Sequence, residues 1–205
     1  MRGVTRRGLA DAGVFLREFA RAPMRTASVV PSSAALAELC ATAVPEQGDP
    51  VVVELGAGTG TITAALARRL GGRGFHLAVE LNPSLAARAA RRCPGVDVRC
   101  ADVTEVPEIL AARGLVADVV VSALPWAAHR ATHPRPLVAV LAGVLARDGV
   151  LVQIGYTATR WAPPARRLRA ELRAAFEEVV VSPTVWRNVP PALTWCARRP
   201  RRPTA

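Results

Sequence analysis

Lysine is absent from this chain of 205 residues, so all 27 of its basic residues are arginines. Only 16 acidic residues stand against them, which leaves a formal net charge of +11. Two explanations of the excess stay open. The first is codon usage in a GC-rich genome, which favours arginine. The second is that the arginines bind an anionic partner such as nucleic acid or a membrane surface.

Cysteine is sparse, and its four residues form no close pair. Without a Cys-x-x-Cys spacing we predict neither a metal site nor a disulfide framework, and we interpret the cysteines as small core residues in a reducing compartment. Long apolar runs are missing too, since the longest, residues 137–146, is far too short to span a bilayer. Charged residues interrupt any secretion signal at the start. We therefore expect a cytoplasmic protein, soluble or peripheral at the inner face of the membrane.

A hydrophobic content of 51% in a chain of this length predicts one folded domain. We place it at residues 34–199, after an N-terminal segment (1–33) and before a frayed tail (200–205). Residues 8–22 have the pattern of an amphipathic helix, with arginines on one face and Leu9, Leu16 and Phe19 on the other. It either packs on the domain or lies in a membrane interface.

The chain is organised around residues 51–60, Val-Val-Val-Glu-Leu-Gly-Ala-Gly-Thr-Gly. A β-branched run followed by glycines and a helical pattern predicts a buried parallel strand, a tight turn and a helix N-terminus. Such a turn lets the backbone approach a ligand closely. The spacing is Gly-x-Gly-x-Gly, and it differs from the dinucleotide fingerprint Gly-x-Gly-x-x-Gly because Thr61 stands where the fingerprint needs its last glycine.

Polar residues follow three further predicted strands. Glu80 ends the second, at the distance from the glycines where an acid accepts from ribose hydroxyls. Asp102 follows the third and either contacts an adenine amine or caps the next helix. Residues 122–126, Ser-Ala-Leu-Pro-Trp, follow the fourth. Because ligands bind at the carboxyl ends of parallel strands, we expect these residues to share one site.

Together these features resemble the class I S-adenosylmethionine-dependent methyltransferases. The resemblance implies an α/β fold: a seven-stranded Rossmann-like sheet, mostly parallel with one reversed edge strand, and helices on both faces. The cofactor is then S-adenosylmethionine. The residues expected to bind it are Glu54, Gly56, Ala57, Gly58, Gly60, Glu80, Leu81, Asp102, Val103 and Ser122.

Three segments resemble bacterial phospholipid N-methyltransferases more narrowly: residues 28–33 (Ser-Val-Val-Pro-Ser-Ser), the turn 122–125, and residues 185–192 (Val-Trp-Arg-Asn-Val-Pro-Pro-Ala). The resemblance implies methylation of phosphatidylethanolamine by an enzyme that docks on anionic membranes through its N-terminal helix. Ser122, Leu124 and Trp126 are then the catalytic candidates, because carbonyls of this turn accept from the amine while the indole faces the developing positive charge. Ser32, Tyr156 and Arg187 are the candidates for substrate binding.

The sequence departs from that family at Ala123, where glycine is common, and at Trp126. N- or O-methylation of a soluble metabolite therefore stays open. Methylation of RNA adenine is disfavoured, because neither an appended helical domain nor an aromatic and basic platform for bases is visible. A non-catalytic cofactor-binding protein is the last alternative. The oligomeric state is not indicated.

Overall fold

The computed structural model describes residues 32–124 and 136–202. The predicted N-terminal helix and Trp126 lie outside these ranges. The helices are α1 (Ala34–Ala41), α2 (Thr61–Leu70), α3 (Pro83–Arg92), α4 (Val106–Ala111), α5 (Leu137–Val144) and α6 (Pro163–Ala175). The strands are β1 (Val51–Leu55), β2 (Phe75–Glu80), β3 (Asp97–Cys100), β4 (Ala117–Ser122), β5 (Leu145–Tyr156), β6 (Phe176–Val181) and β7 (Ala192–Pro200).

The strands form one seven-stranded sheet in the order β3-β2-β1-β4-β5-β7-β6. Strands β1 to β5 pair in parallel, whereas β7 runs antiparallel to both of its neighbours, β5 and β6. This confirms the predicted fold class, with the reversed strand next to the β6 edge. The order reverses between β1 and β4, so the carboxyl ends of these two strands flank the crevice where such sheets bind ligands.

Helices cover both faces of the sheet. Apolar side chains of α4, α5 and α6 pack on one face in a cluster that includes Leu110, Leu141 and Leu172. Helices α1 and α2 pack on the other face, around Val52 and Val121 of the central strands. The central strands are buried on both faces, which explains why their sequences are continuous apolar runs rather than alternating ones.

Several predicted bounds were wrong near the end of the chain. The apolar run after residue 135 predicts a helix over 135–147, but the helix ends at Val144, because Leu145 already pairs with Ala117 of β4. The sequence also predicts a last strand at 193–197, but β7 continues to Pro200, which pairs with Phe176. The backbone N–H of Arg201 then donates to the carbonyl of Ala175. Pro200 and Arg201, the first two residues of the predicted tail, are therefore part of the sheet and its border and are not frayed.

The cysteines are unpaired, as predicted, but they do not all lie in the core. Cys40 and Cys93 are buried, whereas Cys100 is exposed at the end of the edge strand β3. Burial raises the pKa of the Cys40 thiol to about 12. This thiol therefore stays protonated at neutral pH and behaves as a small core side chain.

Candidate functional site: the carboxyl ends of the central strands

The turn after β1 is built from glycines in the left-handed region. Gly56, Gly58 and Gly60 have φ values of 79°, 54° and 80°. The turn is held to β2, because the N–H groups of Gly56 and Ala57 both donate to the carbonyl of Val79, at 2.8 and 3.2 Å. Residues with a Cβ rarely adopt such φ values, so the glycine spacing follows from the shape of this turn.

Two of the glycines are also required by close neighbours. A Cβ at Gly56 would lie 3.2 Å from the side chain of Leu124, in the turn after β4. A Cβ at Gly60 would lie 3.2 Å from the backbone of Ala89, in helix α3. The glycine turn is thus clamped between β4 and α3, while Gly58 in its middle keeps its Cβ position open.

Glu80 joins the glycine turn to the end of β2. One oxygen of its carboxylate accepts from the Gly58 N–H at 2.8 Å, and the other accepts from the Asn82 N–H at 2.9 Å. Each carboxylate oxygen can accept a second hydrogen bond. The side chain is partly exposed. Glu80 therefore stabilises the turn and keeps further acceptor capacity, and its contact with two vicinal ribose hydroxyls stays a prediction.

The N-terminus of α2 opens directly behind the glycine turn. Its N-cap residue is Gly60, so no side chain caps the first amides of the helix. From α3, the Arg92 guanidinium donates to the Thr59 carbonyl at 3.4 Å and to the Thr61 hydroxyl at 3.3 Å. Sequence reasoning missed Arg92, since nothing distinguishes it from the other arginines of α3. Its contacts exist only because α3 packs beside the turn.

Asp102 acts as a helix cap in the structure. Its carboxylate accepts from the N–H and the hydroxyl of Thr104, at 2.9 and 2.7 Å, and Glu105 reaches back to the Asp102 N–H at 2.7 Å. This is a capping box, which satisfies the first donors of the short helix at 103–105. Next to it Val103 is buried, whereas Leu81 is 63% exposed and offers an apolar surface beyond β2. The adenine contact stays a prediction.

Glu54, which the sequence places among the cofactor-binding residues, is buried inside the protein. It is completely buried, and its carboxylate is 3.7 Å from Nε2 of the buried His76. Neither side chain forms a hydrogen bond with any residue that the structure describes. The structure therefore places Glu54 inside the sheet, next to His76, and not on the surface of the glycine turn.

The turn after β4 faces the glycine turn from the other side of the crevice. Ser122 is completely buried, and its hydroxyl accepts from the Leu124 N–H at 3.4 Å. The Leu124 carbonyl accepts from Nε2 of the buried Gln153 at 3.3 Å, and the same nitrogen donates to the Ile154 carbonyl at 2.7 Å. Gln153 thus orients the Leu124 carbonyl, and no sequence motif predicted this role.

Two segments distant in sequence meet beside this crevice. Asn188 is buried, and its side-chain oxygen accepts from the Ser33 N–H at 2.9 Å across 155 positions of sequence. Its amide donates to the Pro190 carbonyl at 2.7 Å. Ser33 in turn caps α1 through its hydroxyl. The structure therefore joins the segment around Ser32 to the loop that contains Arg187.

The three substrate-binding candidates lie around this junction. Ser32 and Arg187 are the immediate neighbours of Ser33 and Asn188, and the Arg187 side chain is exposed. Tyr156 ends β5 opposite Ala192, the first residue after the loop. Burial raises the pKa of the Tyr156 hydroxyl, so it remains a neutral donor at physiological pH. The structure thus brings the three candidates to one end of the sheet.

The described part of the site fits S-adenosylmethionine. The glycine turn offers a cradle without Cβ atoms, the α2 amides lack a side-chain cap, and the Glu80 carboxylate has acceptors left for a ribose. Within residues 32–124 and 136–202, no cluster of His, Cys, Asp and Glu has the arrangement of a metal site. In the same ranges no helix is long and apolar enough to cross a bilayer.

Comparisons with known proteins agree with this geometry. Residues 52–149 match the family model described as a methyltransferase domain. An ornithine lipid N-methyltransferase of Singulisphaera acidiphila is 34% identical over 195 residues, which cover 93% of this chain and 97% of that protein. The resemblance therefore extends beyond the cofactor half to the loop around Asn188.

Solved structures share the fold at much lower identity. An O-methyltransferase of Bacillus cereus in complex with SAH is 15% identical, with a TM-score of 0.62 over 92% of this chain and 90% of that one. A SAM-dependent O-methyltransferase of Thermotoga maritima is 16% identical, with a TM-score of 0.61 over 83% and 67% of the two chains. At these identities the likeness establishes the fold.

Proposed function

Because the chain belongs to the class I S-adenosylmethionine-dependent methyltransferases, we propose that it methylates the primary amine of a membrane lipid. Phosphatidylethanolamine is the acceptor that the sequence predicts, and an ornithine lipid is the acceptor in the name of the relative. Both acceptor names specify an amine carried by a lipid. The proposal therefore concerns a lipid headgroup amine, and these two lipids are the first to assay.

The observation that carries the proposal is the fixed carbonyl of Leu124. It lies in the turn that faces the glycine cradle, and Gln153 uses only one of its two lone pairs. A carbonyl at this place accepts a hydrogen bond from an N–H of the incoming amine and so directs the nitrogen lone pair toward the cofactor. Holding the nucleophile in line in this way supplies most of the catalysis that methyl transfer requires.

S-adenosylmethionine supplies an activated methyl group on a positively charged sulfur, so the protein needs no strong acid or base. Its residues have three other tasks. Glu80 and the glycine turn hold the nucleoside, Leu124 orients the amine, and the apolar side chains around the turn exclude water. The amine must react in its neutral form, so its ammonium proton passes to water before the transfer, and the Leu124 carbonyl then orients the neutral amine by accepting a hydrogen bond from one of its N–H groups.

The headgroup end of the substrate is assigned to the junction of Ser32, Tyr156 and Arg187. An exposed guanidinium suits a lipid phosphate or carboxylate, because its planar fork donates two parallel hydrogen bonds. Asn188 holds this loop against α1. The proposal thus places the reactive amine near Leu124 and the anionic part of the headgroup toward Arg187.

The test is transfer of labelled methyl groups to vesicles that contain either phosphatidylethanolamine or ornithine lipid, with free ornithine and ethanolamine as soluble controls. We expect label in the lipid fraction. Label only in the soluble amines would move the function to a small metabolite. No label in any amine, while S-adenosylhomocysteine still binds by calorimetry, would contradict amine methylation altogether.

Residues 1–22 provide a second test, which rests on their sequence alone. Removing them should abolish sedimentation with anionic vesicles and leave the affinity for S-adenosylhomocysteine unchanged, because the cofactor site begins at β1. If the shortened and full-length chains sediment equally, the N-terminal membrane helix is excluded.

A further inference from the structure

A cleft of about 200 Å³ lies between α6 and the strands β6 and β7, away from the cofactor turn. Three arginines and two tryptophans line it: Arg160, Trp161, Arg169, Arg173 and Trp195. The Arg160 and Arg169 guanidinium carbons lie 5.1 and 5.8 Å from the centre of the Trp161 ring. The Trp161 ring is 64% exposed. We refer to this feature as the Trp161 cleft.

The positive charge of the cleft is not neutralised by the described part of the protein. Other arginines of the chain pair with carboxylates, such as Arg113 with Asp97 at 3.0 Å and Arg69 with Glu46 at 2.9 Å. Among residues 32–124 and 136–202, no carboxylate forms an ion pair with any of the three cleft arginines. Three arginines that line one cleft, two of them over the Trp161 ring, are therefore an anion-binding arrangement.

The remaining wall of the cleft is aliphatic, formed by Val179, Val181 and Leu193. Val181 is 54% exposed, and its neighbour Val180 on the other face of β6 is 59% exposed. An exposed tryptophan, arginines and exposed aliphatic side chains together match the interface of a bilayer, where indole rings lie at the level of the headgroups. Stacked bases would require aromatic faces in series and not valines.

The lining residues Trp161 and Val181 lie near the carboxyl ends of β5 and β6, the same end of the sheet as the cofactor turn. Strand β6 is antiparallel to β7, which is antiparallel to β5, so β5 and β6 run in the same direction. Val181 ends β6, and Trp161 follows the end of β5 at Tyr156. A bilayer that contacts the Trp161 cleft is therefore at the end of the sheet where the proposed methyl acceptor binds.

We propose that the Trp161 cleft binds the anionic headgroup of a bilayer lipid and so orients the enzyme on the membrane. At about 200 Å³ it accommodates a headgroup but not a whole lipid. The three guanidiniums bind the phosphate, while Trp161 and Val181 enter the interface. This inference deepens the proposed function, since it explains how the site of a lipid-modifying enzyme is turned toward its substrate.

The test uses the full-length chain and vesicles of phosphatidylglycerol and phosphatidylcholine in equal parts, with phosphatidylcholine alone as the uncharged reference. Replacing both Arg160 and Arg169 by Gln should weaken partitioning to the anionic vesicles about thirtyfold, since each basic residue near an anionic surface contributes about fivefold. The matched control replaces Arg88 and Arg91, two exposed residues of α3, by Gln. It carries the same charge change and should partition like the wild type.

Trp161→Ala should also weaken partitioning, because it removes an aromatic ring from the interface without a change in charge. Trp161→Phe should weaken it less, because it keeps an aromatic ring. Equal partitioning of the cleft variants, the α3 control and the wild type would overturn the proposal. So would a change in sedimentation coefficient without a change in partitioning, since the cleft would then cover a second copy of the chain.

Failure of the proposed function gives a different result. Methyl transfer to an amine lipid dispersed in uncharged detergent micelles does not require docking on an anionic surface. Cleft variants should retain that activity. If the wild type transfers no label to any amine lipid while its vesicle binding still depends on the cleft, the proposed reaction fails and the docking surface stands.

Discussion

Replacing Glu80 is the most direct test of the cofactor site. The Glu80 carboxylate already accepts from the N–H groups of Gly58 and Asn82, at 2.8 and 2.9 Å, so its position is fixed before any ligand binds. A hydrogen bond to a charged group contributes about 1.5–3 kcal/mol. Losing two such bonds to ribose hydroxyls in Glu80→Ala should therefore cost at least about 3 kcal/mol, or about 150-fold in the dissociation constant of S-adenosylhomocysteine.

Calorimetry with S-adenosylhomocysteine and its 2′-deoxy analogue separates ribose binding from a general loosening of the turn. The wild type should bind the deoxy analogue more weakly, whereas Glu80→Ala should bind both ligands equally, as in a double-mutant cycle. Glu46→Ala, which removes an exposed carboxylate from the surface, is the charge-matched control. If Glu80→Ala still discriminates between the two ligands as strongly as the wild type, Glu80 does not bind the ribose.

Three further predictions concern the framework of the site. Asn188→Ala removes the partners of the half-buried Ser33 N–H and of the buried Pro190 carbonyl, so urea unfolding should show a loss of about 2–3 kcal/mol; unchanged stability would mean that this junction contributes nothing. At Gly155 a new Cβ would lie 2.2 Å from the indole ring packed across it, so Gly155→Ala should lose about 3 kcal/mol. Gly143→Ala, with open space at its Cβ, should lose nothing and is the control. Since burial raises the pKa of Cys40 to about 12, iodoacetamide at pH 8 should alkylate Cys100 and spare Cys40 until the protein unfolds. The raised pKa favours the neutral thiol in the folded state, so it should make the free energy of unfolding fall as pH rises from about 9 toward 12; a pH-independent stability in this window would contradict it.

Local patterns were sufficient to predict most of the sheet. The sequence predicts a strand at 117–122 and a helix at 61–70, which are the observed bounds of β4 and α2, because apolar runs and glycines act on their immediate neighbours in the chain. The same reasoning failed at residues 145–147, where pairing with β4 overrides helix propensity. It also failed at the end of the chain, where the sequence predicts a frayed tail although Phe176 of β6 pairs with Pro200.

The candidate site likewise contains residues that the sequence predicted and residues that only the structure revealed. The glycine turn and Glu80 were found from sequence, since their positions follow from strand ends and fixed spacing. Gln153, Arg92 and Asn188 were missed, because each acts on a backbone group that is distant along the chain. Asp102 kept two interpretations in the sequence, and only the structure revealed its capping box.

By itself, then, the sequence predicted the strands, the helices and the glycine turn, since these follow from periodicity and from the backbone freedom of glycine. The cofactor class came from the resemblance of these motifs to a known family. Only the tertiary structure decided which side chains meet. It buried Glu54 next to His76, joined Ser33 to Asn188, and placed three arginines in one cleft with Trp161. Such contacts depend on strand order and helix packing, and no spacing in the linear chain encodes them.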